Sequence, residues 1–147
     1  MSTVPKWSHS TVLVDRKSKF QAHAMSIQSS SSVNELIQGL VSQDKSIQRA
    51  SHQAMYAWRT GTPSTDSKKQ PQVQQQGMND CGEAGAGMRL VGLLERTGLV
   101  NVLVVVTRWY GGTPLGNARF RHISTVAVEA LREGGFLEPP AKKGKRK

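Results

Sequence analysis

The sequence predicts an α+β fold: a four-stranded sheet packed with helices, in the order strand, strand, helix, strand, helix, strand, helix. Three observations predict it. Segments with alternating apolar residues take turns with segments whose apolar residues recur every three or four positions, which are the periods of strand and helix. Residues 100–106 (VNVLVVV) are apolar at six of seven positions with three consecutive valines, as in a strand buried on both faces. The length, 147 residues, suits one hydrophobic core and leaves little room for a second.

Residues 1–9 are expected to be disordered, and the domain itself is placed at 10–138. Its first two strands are residues 11–14 and 20–27, where Phe20, Ala22, Ala24 and Ser26 alternate with Gln21, His23 and Met25. The polar interval Asp15, Arg16, Lys17, Ser18 fits a hairpin turn, although it lacks the Asn-Gly pair that marks the tightest ones. Serines 29–32 offer N-caps to a helix whose apolar face is Val33, Leu36, Ile37, Leu40 and Val41.

A third strand is read at residues 54–58 (AMYAW), ended by the breaker Thr60, Gly61, Thr62, Pro63. The stretch 62–78 is almost entirely polar, so it buries too little to offset its ordering entropy and is expected to be a flexible loop. Helical periodicity resumes over 83–95 through Met88, Leu90, Val91, Leu93 and Leu94, with Gly98 as a left-handed stop. After the valine-rich strand, Phe120, Ile123, Val126, Ala127, Ala130 and Leu131 mark the last helix, which ends at Gly134 and Gly135. Residues 139–147 form a basic tail.

Lys and Arg number 20 against 10 Asp and Glu, a formal charge of +10. Lys142, Lys143, Lys145, Arg146 and Lys147 supply half of that excess, so the preceding residues are moderately basic and suit an anionic partner. The single cysteine, Cys81, excludes an intramolecular disulfide and a metal site of paired thiolates. No apolar run approaches the ~18 residues of a membrane span and the N-terminus lacks a signal-peptide core, which together point to the cytoplasm, with the basic tail leaving the nucleus open.

Chemistry is most expected at 101–123, where the buried strand gives way to Arg108, Trp109, Tyr110, Gly111 and Gly112, then to Arg119, Arg121 and His122. The glycines would let the backbone approach a phosphate, the arginines would neutralise it, and an aromatic could stack on a base. The alternative is a tight turn with aromatics filling the sheet edge. His52, Asp80, Glu83 and His122 could form an acid/base set, but Asp80 and Glu83 also have the spacing of a capping box. No catalytic residue, metal ligand or cofactor is assigned.

These segments resemble the Impact family, which includes the bacterial YigZ-like proteins. The resemblance is carried by RWYGG (108–112), LG (115–116) and RFRHI (119–123), with SKFQAHA (18–24), ASHQAMYAWR (50–59) and NDCGEAGAGMRL (79–90) in the family's order. It implies an Impact N-terminal-type domain with a fold like the second domain of a small-subunit ribosomal protein. Eukaryotic members are translational regulators that compete for the activator of the amino-acid-starvation kinase.

The family usually has Asp-Asp-Gly-Glu where this chain has Asp80, Cys81, Gly82 and Glu83, and Asn or Pro where it has Gln53. The length leads us to expect a stand-alone domain, without the RWD domain of eukaryotic members or the ferredoxin-like domain of bacterial ones. The resulting expectation is a non-enzymatic binding module whose basic surface meets RNA, the ribosome or an acidic protein. The alternative is an enzyme acting on a phosphorylated small molecule or nucleic acid, with the glycine turn as cradle.

Overall fold

The computed structural model describes residues 6–65 and 69–138. The elements are strands β1 (Ser8–His9), β2 (Leu13–Asp15) and β3 (Ser18–Ser26), a single 3-10 turn (Ser30–Ser32), helices α1 (Val33–Ser42) and α2 (Lys45–Gln48), strands β4 (His52–Thr62) and β5 (Gln72–Asn79), helix α3 (Ala86–Thr97), strand β6 (Val102–Trp109) and helix α4 (Ala118–Glu133). The expected α+β architecture is present, with six strands among the described residues instead of four.

The valine-rich strand is central, as its composition required. β6 lies between β3 and β4, antiparallel to both, and the strand order is β1-β3-β6-β4-β5 with β2 also paired to β3. Because side chains alternate across a strand, β6 feeds two cores. Val102, Val104 and Val106 join Phe20, Met55, Leu90, Ile123 and Leu131 under α3 and α4. Leu103 and Val105 join Ile27, Leu40 and Ile47 under α1 and α2 on the other face. Each large apolar side chain buried in this way contributes about 1.5–3 kcal/mol.

The loop expected at 62–78 is corrected by β5, which pairs with β4 over Gln72–Asn79. Its side chains are almost all exposed. Backbone hydrogen bonds to β4 hold an edge strand that buries little, so a reading based on apolar content passes over it. The breaker at Thr60 and Gly61 lies inside β4 at a shift of register, where the Gln72 carbonyl of β5 occupies the space a Cβ would need.

Residues 8–9, expected to be disordered, pair with β3 through Ser8↔Ala24 and His9↔His23. Helix α2, not anticipated, is started by Asp44, whose carboxylate accepts from Ser46 N and Ile47 N. The hairpin at 15–18 is present, with Arg16 (φ 48°) and Lys17 (φ 73°) both left-handed, the two-residue geometry that matches strand twist. Gly98 closes α3 at φ 68° as the sequence required. The tail, residues 139–147, lies outside the described residues.

Candidate functional site

The carboxylate of Glu83 is the hub toward which three of the expected site residues converge. It sits in the turn before α3, only 6% exposed, and Arg108 Nη1 at the end of β6 donates to its Oε1 at 2.7 Å. Arg119 Nε, one residue into α4, lies 2.9 Å from Oε2, near enough for an ion pair although its N–H is not aimed for a hydrogen bond. His52 at the start of β4 places Nε2 3.3 Å from Oε1, while its Nδ1–H donates to the Cys81 carbonyl at 2.8 Å. Glu83 is therefore not the second half of a capping box.

Asp80 does the capping without Glu83. Its carboxylate accepts from Gly85 N at 3.2 Å and Gly87 N at 2.7 Å, the opening amides of α3. The helix begins at Ala86, later than expected, because Gly82 (φ 84°) and Gly85 (φ 88°) fold the preceding residues into left-handed turns. Cys81 shares that geometry at φ 48°, a conformation that the family's Asp adopts more readily than Cys does. Its Sγ accepts from Ala54 N at 3.5 Å.

Arg108 is 4% exposed, so it does not join Arg119 and Arg121 in neutralising a phosphate at the surface as expected. Its guanidinium lies 5.1 Å from the centre of the Phe20 ring and 5.4 Å from that of Tyr110, one aromatic on the inside and one at the surface. Arg119 stacks on Phe120 at 4.6 Å, and of the three arginines only Arg121 is exposed.

The glycine turn packs against protein. Gly111 donates to Ser18 Oγ at 2.9 Å, and the place of its missing Cβ is filled by the backbone of Lys17 and Ser18. Gly112 has open space around it and φ 98°, so it is needed for the turn's conformation. Tyr110 is 48% exposed, with its amide on Ser51 Oγ. Trp109 points to the opposite face of the sheet, where its Nε1–H donates to the Ser46 carbonyl at 2.7 Å.

His122 is not part of the Glu83 cluster. Its Nε2 lies 2.7 Å from Asp15 Oδ2, and this bond lowers the Asp15 pKa from the usual carboxylate value. The imagined acid/base set is thus split, with Phe20 between its parts: its ring centre is 5.3 Å from that of His122. Among the described residues, no three His, Cys, Asp or Glu side chains stand together in metal-binding geometry, and no helix is long and apolar enough to cross a membrane.

Two buried ionisable side chains escaped the sequence reading. Arg59 is buried in β4 and donates to the carbonyls of Leu94 and Leu99 at the end of α3. His23 sits on β3 with its Nδ1 2.9 Å from His9 Nδ1 and its Nε2 3.3 Å from Thr107 Oγ1. Burial, reinforced by His9, pulls its pKa down to about 4. Position in an alternating strand was the signal for His23, since it faces the second core; nothing local in the sequence marks Arg59.

Antiparallel strands with helices on both faces, knit by a buried carboxylate that joins the turn before α3, the end of β6 and the start of α4, define a compact α+β module. The chain belongs to the Impact family: the model of the Impact N-terminal domain matches residues 16–131. It is 49% identical to the IMPACT family member YDL177C of Saccharomyces cerevisiae over 89% of this chain and 93% of that protein. It is 36% identical to Protein IMPACT of Rattus norvegicus over 97% of this chain, but spans only 42% of that longer protein.

Among solved structures, the two-domain translational regulator Yih1 matches with a TM-score of 0.59 and 32% identity, covering 93% of this chain and 50% of Yih1. The crystal structure of a hypothetical protein matches at 0.65 with 20% identity, covering 88% of this chain and 62% of that one, a likeness of fold.

Proposed function

We propose that this chain is a binding module of translational regulation, working in the amino-acid-starvation kinase response by holding an anionic partner. The observation that carries the reading is the inward placement of Glu83. A carboxylate so deeply buried, held by Arg108 and approached by Arg119, braces the fold and is poorly placed to exchange a proton with a substrate. The groups that an acid/base mechanism would need are thereby engaged in joining β4, β6, α3 and α4. Membership of the Impact family and likeness to the translational regulator Yih1 support the setting.

The anionic partner follows from charge. The chain carries a formal +10, and exposed cations such as Lys17, Lys19 and Arg49 have no ion pair among the described residues. The test is phosphorylation of the starvation kinase's initiation-factor substrate in amino-acid-starved cells with and without the chain, beside its co-sedimentation with ribosomes. Lower phosphorylation when the chain is present is the expected result. Unchanged phosphorylation together with no sedimentation would sink the reading, and turnover of a phosphate-containing substrate by the purified protein would replace it with an enzymatic one.

A further inference from the structure

The second face of the sheet is only partly covered. Helices α1 and α2 close over Leu103 and Val105, but the end of the sheet beyond α2 remains open as a groove of ≈ 680 Å³. Strand pairing builds its floor. Val14 on β2 pairs with Lys19 on β3, and Lys19 pairs with Trp109 on β6, so the three side chains form one row across the sheet. They face away from the helices α3 and α4 because Leu13, Phe20 and Arg108, their neighbours in the chain, face toward them.

We propose that this groove binds single-stranded RNA, with the face of Trp109 stacking a base and Lys17, Lys19 and Arg49 holding the phosphates. This deepens the reading above, on which the choice of an anionic ligand rests.

Three features of the groove fit that ligand. None of its lining residues is acidic, and its three cations have no ion pair among the described residues, so their charge is available to a partner. Trp109 is half-buried and fixed by its bond to the Ser46 carbonyl, which makes it a rigid platform that loses little freedom on stacking. Val14, at 60% exposed, is an apolar wall that the fold leaves uncovered, as a base or ribose would require and a phosphate alone would not.

The bases of a duplex are already stacked on one another, whereas splayed single-strand bases can use both the aromatic floor and the cationic rim. The expected arginine turn of 108–112 therefore takes part chiefly through Trp109, which lies on the face opposite Arg108.

The test measures binding of the full chain to a fluorescent twelve-nucleotide oligouridylate by anisotropy across a salt series. Lys17→Glu, Lys19→Glu and Arg49→Glu together should weaken binding at least ten-fold and lower the salt slope by about 2, since each phosphate contact on a single strand releases about 0.7 counterion. A matched reversal on the other face, Arg96→Glu, Arg121→Glu and Arg132→Glu, changes net charge equally and should cost far less.

Equal losses in the two triple variants, or full affinity in the groove variant, would overturn the proposal. So would tighter binding of an oligoglutamate peptide or of duplex RNA than of the single strand. Should the glutamate variant melt early, the glutamine triple variant at the same three positions is used, with a smaller loss expected and the same control. Loss of the starvation-kinase effect with oligouridylate binding intact would sink the regulatory reading alone; loss of binding with the kinase effect intact would sink the groove alone.

Discussion

Arg108 and Glu83 neutralise each other inside the protein, at 2.7 Å and with 4% and 6% of their side chains exposed. The pair ties the end of the central strand to the turn that starts α3. Arg108 Nε has no hydrogen-bond partner among the described residues, so its charge depends on Glu83 and on the ring faces of Phe20 and Tyr110. Removing the carboxylate would leave a buried guanidinium uncompensated.

Glu83→Gln is therefore expected to cost about 3–5 kcal/mol, read from denaturant or thermal unfolding. Adding Arg108→Met should recover a large part of that loss, because the orphaned charge goes with it. A cost under about 1 kcal/mol for the single variant would show that water or another group serves Arg108.

Asp80 offers a smaller and separable effect. With its carboxylate on the amides of Gly85 and Gly87, Asp80→Ala should cost on the order of 1 kcal/mol and leave oligouridylate binding unchanged. Equal stability with lost binding would place Asp80 at the ligand.

The strands and helices with strong periodicity were legible because their residues face one core or two: β6 reads as central from its valines alone. β5 was not, since Gln72–Asn79 owes its place to backbone bonds with β4 and exposes nearly every side chain. At the site, the sequence singled out His52 and Glu83 in an acid/base set and Arg108 and Arg119 in a separate arginine cluster, and it did not bring the two groups together. It could not show that they point inward, because a charged side chain near a glycine turn reads the same whether it meets a phosphate or a buried counter-charge. Asp80 and Glu83 have capping-box spacing, yet the left-handed turns at Gly82 and Gly85 move the helix start past both.

His23 makes stability depend on pH. Its pKa falls from 6.5 in the unfolded chain to about 4 in the fold, so between these values the unfolded state binds a proton that the native state does not. Stability from this group is complete above about pH 6.5 and is lost as the pH falls toward 4, on the order of 3 kcal/mol in all. Unfolding measured across that range should show the fall in the parent and a flatter profile in His23→Gln. Identical profiles would mean that His23 takes up its proton without disturbing the fold.

The last prediction sets Gly111 against Lys17. Lys17 and Ser18 pack their backbone where a Cβ on Gly111 would lie, so the hairpin turn and the glycine turn form a single unit at the sheet's end. Gly111→Ala must push that backbone away and is expected to cost about 1–3 kcal/mol, although it removes no charge and no hydrogen-bonding side chain. Lys17→Gly works in the opposite direction, because φ 73° strains lysine and suits glycine; after the added freedom of the unfolded chain is subtracted, a gain of about 0.5–1 kcal/mol should remain. Urea midpoints at unchanged m-value read both. If alanine is tolerated at 111 without loss, the close approach of the two turns does not hold the sheet end together, and the glycine is then free to meet a ligand as its sequence first suggested.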